Sequence, residues 1–326
     1  MAKRDRLQQA LDSIGALRQE SDLRAVEAKL KDAMSSGSNL VVAKAVKIAR
    51  EKQLDTLMQA CKDAYVRFKE NAETTDPGCA AKSEIVRWLI EAPQREEEIY
   101  LHGVEHVQLE AGWGHPTDTA AELRGLCGMG LVCMGSRKAM RAVTNLLFDS
   151  EKATRLLAIK CAQTARTSDA SLLLRARCLA GDPEADVTAE ALTALVSVEG
   201  NDALAFVAKF MASPDDVIAE SAALAIGESR SREGFELLHK AYHDIATHRI
   251  RGAILLGMSI TRNTAAVDLL VDTIVSGSLP LASDAVRAAA LFKQDDAVFK
   301  RIGDAVQSRG ASDLLAEWKS VTRSRP

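Results

Sequence analysis

Aromatic residues make up only 4% of this 326-residue chain, although hydrophobic residues reach 47%. Abundant Ala and Leu with so few rings predict thin layers of paired helices rather than a thick globular core. No CxxC pair occurs among the six cysteines, Cys61, Cys79, Cys127, Cys133, Cys161 and Cys178. Most fall on helical apolar stripes, as buried free thiols do, and disulfides are not expected. Charge of one sign is not in excess: the net charge is −3 and the pI about 6.1, which disfavours nucleic acid as a partner. The opening MAKRDRLQQALDS has no apolar signal core, and the most apolar run, residues 126–135, is too short to span a bilayer. A cytoplasmic protein without membrane segments is expected. There is no P-loop, no GxGxxG after a strand, no GxSxG elbow and no convincing strand. No cofactor is implied.

What the chain does contain is a period. From residue 136 to 306 a small residue recurs at Ala139, Ala170, Ala203, Gly234, Ala266 and Ala297, at spacings of 31, 33, 31, 32 and 31. Two or three residues before each stands a helix-capping type: Ser136, Ser168, Asn201, Ser231, Asn263 or Asp295. Pro183 and Pro214 suit the first turn of the preceding helices. Gly227 and Gly257, in AALAIGES and GAILLGMS, mark corresponding ends of two of them. Fixed period, paired helices and matching caps predict an all-α fold, an α-solenoid of stacked antiparallel helix pairs.

The pattern resembles the HEAT-repeat family, within the armadillo-like superhelices. Asp169 and Arg175 stand six apart, like the family's paired acid and base at the turn and early second helix. Elsewhere the charge ladder departs from the family: Asp202 has Lys209 one place late, Glu233 has His239, and Asp296 has no basic match. Similar arrays occur in many bacterial proteins known only by their HEAT repeats. The segment opening at DPGCAAK (76–82) resembles a recurring block in some of them.

Four regions are expected. Residues 1–75 form a helical cap or degenerate repeats, in which Leu7, Leu11, Ile14 and Leu17 mark one face. Ser21 caps the next helix, with Leu23, Val26, Leu30 and Met34 inward. Residues 76–135 hold irregular repeats: a helix ended by Pro93, another to about Glu110, then a loop (112–116) with Trp113 at its tip. Residues 136–308 are the regular repeats, and 309–326 a capping helix with Leu314, Leu315 and Trp318, then a basic tail. Local charge differs strongly: residues 1–70 carry 14 basic against 10 acidic groups (+4), and residues 181–244 carry 4 against 13 (−9).

Two constellations invite chemistry. His102 and His106 in HGVEH match the HxxEH pattern of inverted-motif metallopeptidases, and i,i+4 imidazoles on one helical face can share a metal. A further ligand must come from elsewhere, with Asp118 and Glu122 nearest in sequence. The plain alternative is a polar helix face. His106, Gln108, Glu110, Trp113, Asp118 and Arg124 form a looser set suited to an interface, since aromatic and Arg residues anchor interfaces. Its plain alternative is that Glu110 or Asp118 pairs with Arg124 and fastens an irregular loop.

The HEAT resemblance implies that second helices line a concave face. That places Arg175, Arg177, Lys209, His239, Lys240, Asp272, Lys300 and Arg301 on or near it. The mixed charge suits a protein or peptide partner. The expected function is therefore a non-catalytic scaffold or adaptor; the oligomeric state is not legible. HEAT-like arrays also host enzymes resembling alkylpurine DNA glycosylases and phycobilin lyases. The former need a basic channel, against which the acidic stretch counts. A metal-dependent hydrolase at His102 and His106 is the remaining alternative.

Overall fold

The computed structural model describes residues 2–92, 96–112, 114–244 and 248–323. Pro93, Trp113 and the end of the basic tail lie outside them. The fold is all-α, and the chain divides into two compact units at Thr167/Ser168. The first unit holds α1 (Ala2–Ala16), α2 (Leu23–Met34), α3 (Asn39–Glu51), α4 (Met58–Arg67), α5 (Ala72–Thr75), α6 (Ala80–Glu91), α7 (Glu97–Glu105), α8 (Ala121–Cys133), α9 (Ala139–Leu147) and α10 (Lys152–Ala165). The second holds α11 (Ser168–Ala180), α12 (Ala185–Glu199), α13 (Leu204–Val207), α14 (Asp216–Glu228), α15 (Arg232–Asp244), α16 (His248–Ile260), α17 (Thr264–Ser276), α18 (Leu279–Ala288), α19 (Asp296–Arg309) and α20 (Ser312–Arg323).

In each unit helices meet their neighbours in sequence, and the first helices of successive pairs also pack on one another. In the first, α1, α3, α6, α8 and α10 pack in succession; in the second, α12, α14, α16, α18 and α20 do so. The apolar stripes explain this order. Val26, Leu30 and Met34 of α2 and Leu57, Cys61, Tyr65 and Phe68 around α4 are all buried. Leu23, expected inward, is exposed at the first residue of α2, and the cap of this helix is Asp22 rather than Ser21. The Asp22 carboxylate accepts from the N–H groups of Arg24 and Ala25, which starts the helix one residue later.

The small residues of the period serve close packing. Ala139, Ala170, Ala203, Gly234 and Ala266 are buried, whereas Ala297 is exposed. Asn263 and Asp295 cap α17 and α19 through their side chains. Gly227 and Gly257 do not end helices as expected. Both lie inside α14 and α16, where a Cβ on Gly227 would stand 2.4 Å from the Gly257 carbonyl oxygen, and one on Gly257 2.6 Å from that of Ala223. They are contact points where two helix backbones nearly touch.

Arg175 does not take Asp169 as its partner. Its guanidinium binds the Glu199 carboxylate at the end of α12 (Nε to Oε1, 2.7 Å), which ties α11 to α12. At the chain's end Leu314 is buried and Trp318 rests on Phe299, ring centres 4.4 Å apart. The stretch Ala185–Ala212 is long and apolar enough for a membrane span, but its helix breaks at Gly200 (φ 62°). Val187, Ala191, Leu192 and Leu195 of that stretch are buried in the second unit.

Candidate functional site around the 106–124 hairpin

The irregular segment is not one helix to Glu110. Helix α7 ends at Glu105, His106 turns to an extended conformation (φ −74°, ψ 124°), and a small hairpin follows. Its strands are β1 (Leu109–Glu110) and β2 (Thr117–Asp118), antiparallel, with Leu109 opposite Asp118 and Glu110 opposite Thr117. The connecting turn uses glycine twice. Gly114 has φ +98°, and a Cβ on Gly112 would fall 2.7 Å from the His115 carbonyl and the Thr117 hydroxyl. Such tight chemistry cannot propagate a helix.

Beneath the hairpin lies a buried polar network that begins at Asp76. This carboxylate caps α6, accepting from Ala81 N–H (2.9 Å) and Lys82 N–H (3.1 Å), and it also accepts from the Asn39 amide (3.1 Å). The Lys82 ammonium, wholly buried, pairs with Asp76 at 3.2 Å and donates to the Phe68 carbonyl and to Gln108 Oε1. Gln108 is the hub. Its Oε1 also accepts from the Cys79 thiol (3.2 Å) and from His106 Nε2 (3.1 Å). Its Nε2 donates to the Asp76 carbonyl (2.9 Å) and to Glu110 Oε1 (2.6 Å). That division fixes which end of the amide is oxygen.

Glu110 closes this cluster rather than pairing with Arg124. It accepts from Gly78 N–H (2.7 Å), the Thr119 hydroxyl (2.7 Å) and Gln108. Burial works to raise its pKa, but these hydrogen bonds prevail and hold the carboxyl below its usual range. Asp118 is the acid that meets Arg124, at 2.6 Å. The buried guanidinium also grips Asp149 with two bonds, of 2.8 and 2.9 Å, and donates to the His106 carbonyl at 3.0 Å. Asp118 is likewise lowered: desolvation opposes, while Ala120 N–H, Gln108 N–H and Arg124 outweigh it.

His102 and His106 stack with ring centres 5.3 Å apart, but each has a partner of its own. His102 Nδ1 lies 3.1 Å from the Tyr65 hydroxyl, and His106 Nε2 is held by Gln108. Burial, aided by Lys69 and His106, pushes His102 down to about 4, and burial lowers His106 despite its bond to Gln108. Both rings are therefore neutral near pH 7. Among the described residues, no group of three or more His, Cys, Asp or Glu side chains could hold a metal ion. Burial also drives the Cys79 thiol up to about 11, so it is a hydrogen-bond donor rather than a ready nucleophile.

Of the residues singled out from sequence, His106, Gln108, Glu110, Asp118 and Arg124 thus come together, and Trp113 lies outside the described residues. Arg175, Arg177, His239 and Lys240 belong to the second unit. There Arg177 is buried against Asp182, while His239 and Lys240 are exposed on α15, with His239 between Phe235 and His243. Asp76, Cys79, Lys82, Thr119 and Asp149 were not anticipated. One signal existed: Cys79, Lys82, Val86 and Leu89 follow helical spacing, which puts a lysine on an apolar stripe. No protein-family model matches the chain, and no curated protein matches it. Among solved structures it is similar to the crystal structure of an engineered protein, at 14% identity over 97% of this chain and 95% of that one, with a TM-score of 0.39. A likeness that loose carries no functional argument.

Proposed function

We propose that this protein is a non-catalytic, cytoplasmic scaffold or adaptor built of HEAT-type repeats, which binds a protein or peptide partner. The observation that carries the reading is how the hairpin divides its groups. The side chains of Gln108, Glu110 and Asp118 turn inward and are saturated by Asp76, Lys82, Thr119 and Arg124, while His115 and Thr117 stay exposed on the turn. Its apolar side chains Val107 and Leu109 face outward, 59% and 54% exposed. Apolar groups displayed on a rigid support are what an interface requires, and saturated polar groups are what hold the support rigid. Two further facts support the reading: the same-rank stacking of helices with a period near 32 residues, and six free cysteines, five of them buried, as suits a reducing compartment.

The test is affinity capture from a native extract, comparing the wild-type protein with Val107→Asp/Leu109→Asp. Both positions are exposed, so helix content by circular dichroism should not change. A partner retained by the wild type and lost by the folded variant is the expected result. Hydrolase, glycosylase or bilin-transfer activity in the purified protein would overturn the reading.

A further inference from the structure

Beside the hairpin lies a slot of about 460 Å³, bounded by the end of α7, both strands, and the turn between α9 and α10. Its floor is the ion-paired triad Asp118–Arg124–Asp149, in which the guanidinium is already committed to two carboxylates. The lip is apolar and exposed: Val107, Leu109 and Pro116. The rim carries Glu105 and Glu151, and neither takes an ion pair among the described residues. Four carboxylates against one guanidinium leave the slot with a formal charge of −3. Arg155, at the turn that carries Glu151, donates to the carbonyls of Asp149 and Ser150, so the two rim acids stand open to a cation from outside.

Resting on the adaptor reading, we infer that this slot receives an extended protein segment in which arginine or lysine alternates with apolar residues. Alternation is required because in an extended chain successive side chains point to opposite sides. One set covers Val107, Leu109 and Pro116 while the other reaches Glu105 and Glu151. An acidic or purely apolar segment is refused. The first meets like charge; the second buries the rim carboxylates without partners, which costs more than its apolar contact returns. A free metal cation is not the occupant, because the carboxylates of the floor are taken by Arg124. The slot's rigidity comes from the network below it, so little ordering cost remains on this side of the interface.

The experiment is fluorescence anisotropy with the full chain and three short labelled peptides: leucine alternating with arginine, leucine with glutamate, and glycine with arginine. Only the first should bind. Glu105→Lys/Glu151→Lys should weaken it by about tenfold or more, and Glu105→Gln/Glu151→Gln by an intermediate factor. The neutral pair keeps the test open if the charge reversal disturbs folding at the start of α10. Equal binding of the glutamate peptide, or of the glycine peptide, would overturn the assignment, as would indifference to both double variants. A partner captured from extract that survives Glu105→Gln/Glu151→Gln unweakened would sink the slot and leave the adaptor reading standing. An enzymatic activity would instead remove the adaptor reading and the slot with it.

Discussion

At Asp76 one carboxylate serves two backbone N–H groups, an amide and an ammonium, all in the interior. Removing it strands every one of them, whereas removing Lys82 strands only part of the set. Asp76→Ala should therefore cost ~3–5 kcal/mol of unfolding free energy and Lys82→Met distinctly less, about 1–3 kcal/mol, by urea denaturation. Equal losses would mean that the ion pair, not the cap, is what matters. His102 makes a pH prediction. Its folded pKa, about 4, lies below the unfolded value near 6.5, so between these pH values the unfolded chain binds the extra proton. The stabilisation is complete above pH 6.5 and is lost as the pH falls toward 4. Its size is about 1–3 kcal/mol, allowing for solvent screening of a half-buried ring. His102→Gln should flatten that part of the stability–pH curve. Acid loss below it would remain, through Glu110 and Asp118, whose folded values are depressed.

Helices α14 and α16 approach so closely that side chains are excluded at the crossing. Gly257→Ala should raise helix propensity by ~1 kcal/mol, yet destabilise by about 2–4 kcal/mol overall. The new methyl would meet the backbone carbonyl of Ala223 at 2.6 Å, and backbone cannot swing aside as a side chain can. Gly37→Ala, with open space around it, should be neutral within ~0.5 kcal/mol. Thermal unfolding of the two variants side by side is the check. These glycines look like C-terminal caps in sequence because a helix-ending glycine and a helix-contact glycine read alike. Only the neighbouring helix tells them apart. The same ambiguity hid the hairpin: residues 106–110 are short and lack two full alternations, so the preceding helical pattern appeared to run on through them.

For the whole molecule, burial sorts the cysteines into two classes. Five are buried and Cys133 is exposed at the end of α8. Desolvation pushes Cys61, Cys161 and Cys178 up to about 12. A thiol reagent at neutral pH should modify one cysteine quickly in the native protein and the others only on unfolding. Mass mapping of the labelled peptide should return Cys133; rapid reaction at Cys79 would mean that the network around Gln108 opens readily.

Periodicity near 32 residues, capping types at Asn263 and Asp295 and the apolar stripes of α2 and α4 were sufficient to place helices and most of the buried face. They are local or repeating properties, and each repeat restates them. The set His106, Gln108, Glu110, Asp118 and Arg124 was also visible, because uncommon polar residues crowd into a short segment. Their roles were not. Whether Arg124 is an anchor displayed to a partner or a clamp between Asp118 and Asp149 depends on Asp149, which lies 25 positions away. Whether Lys82 is a surface charge or the buried mate of Asp76 depends on Gln108, which lies 26 positions away in a segment whose helical pattern concealed its turn. Long-range polar pairing has no period, so the tertiary structure alone decided which charges are spent inside the protein and which, like Glu105 and Glu151, remain outward.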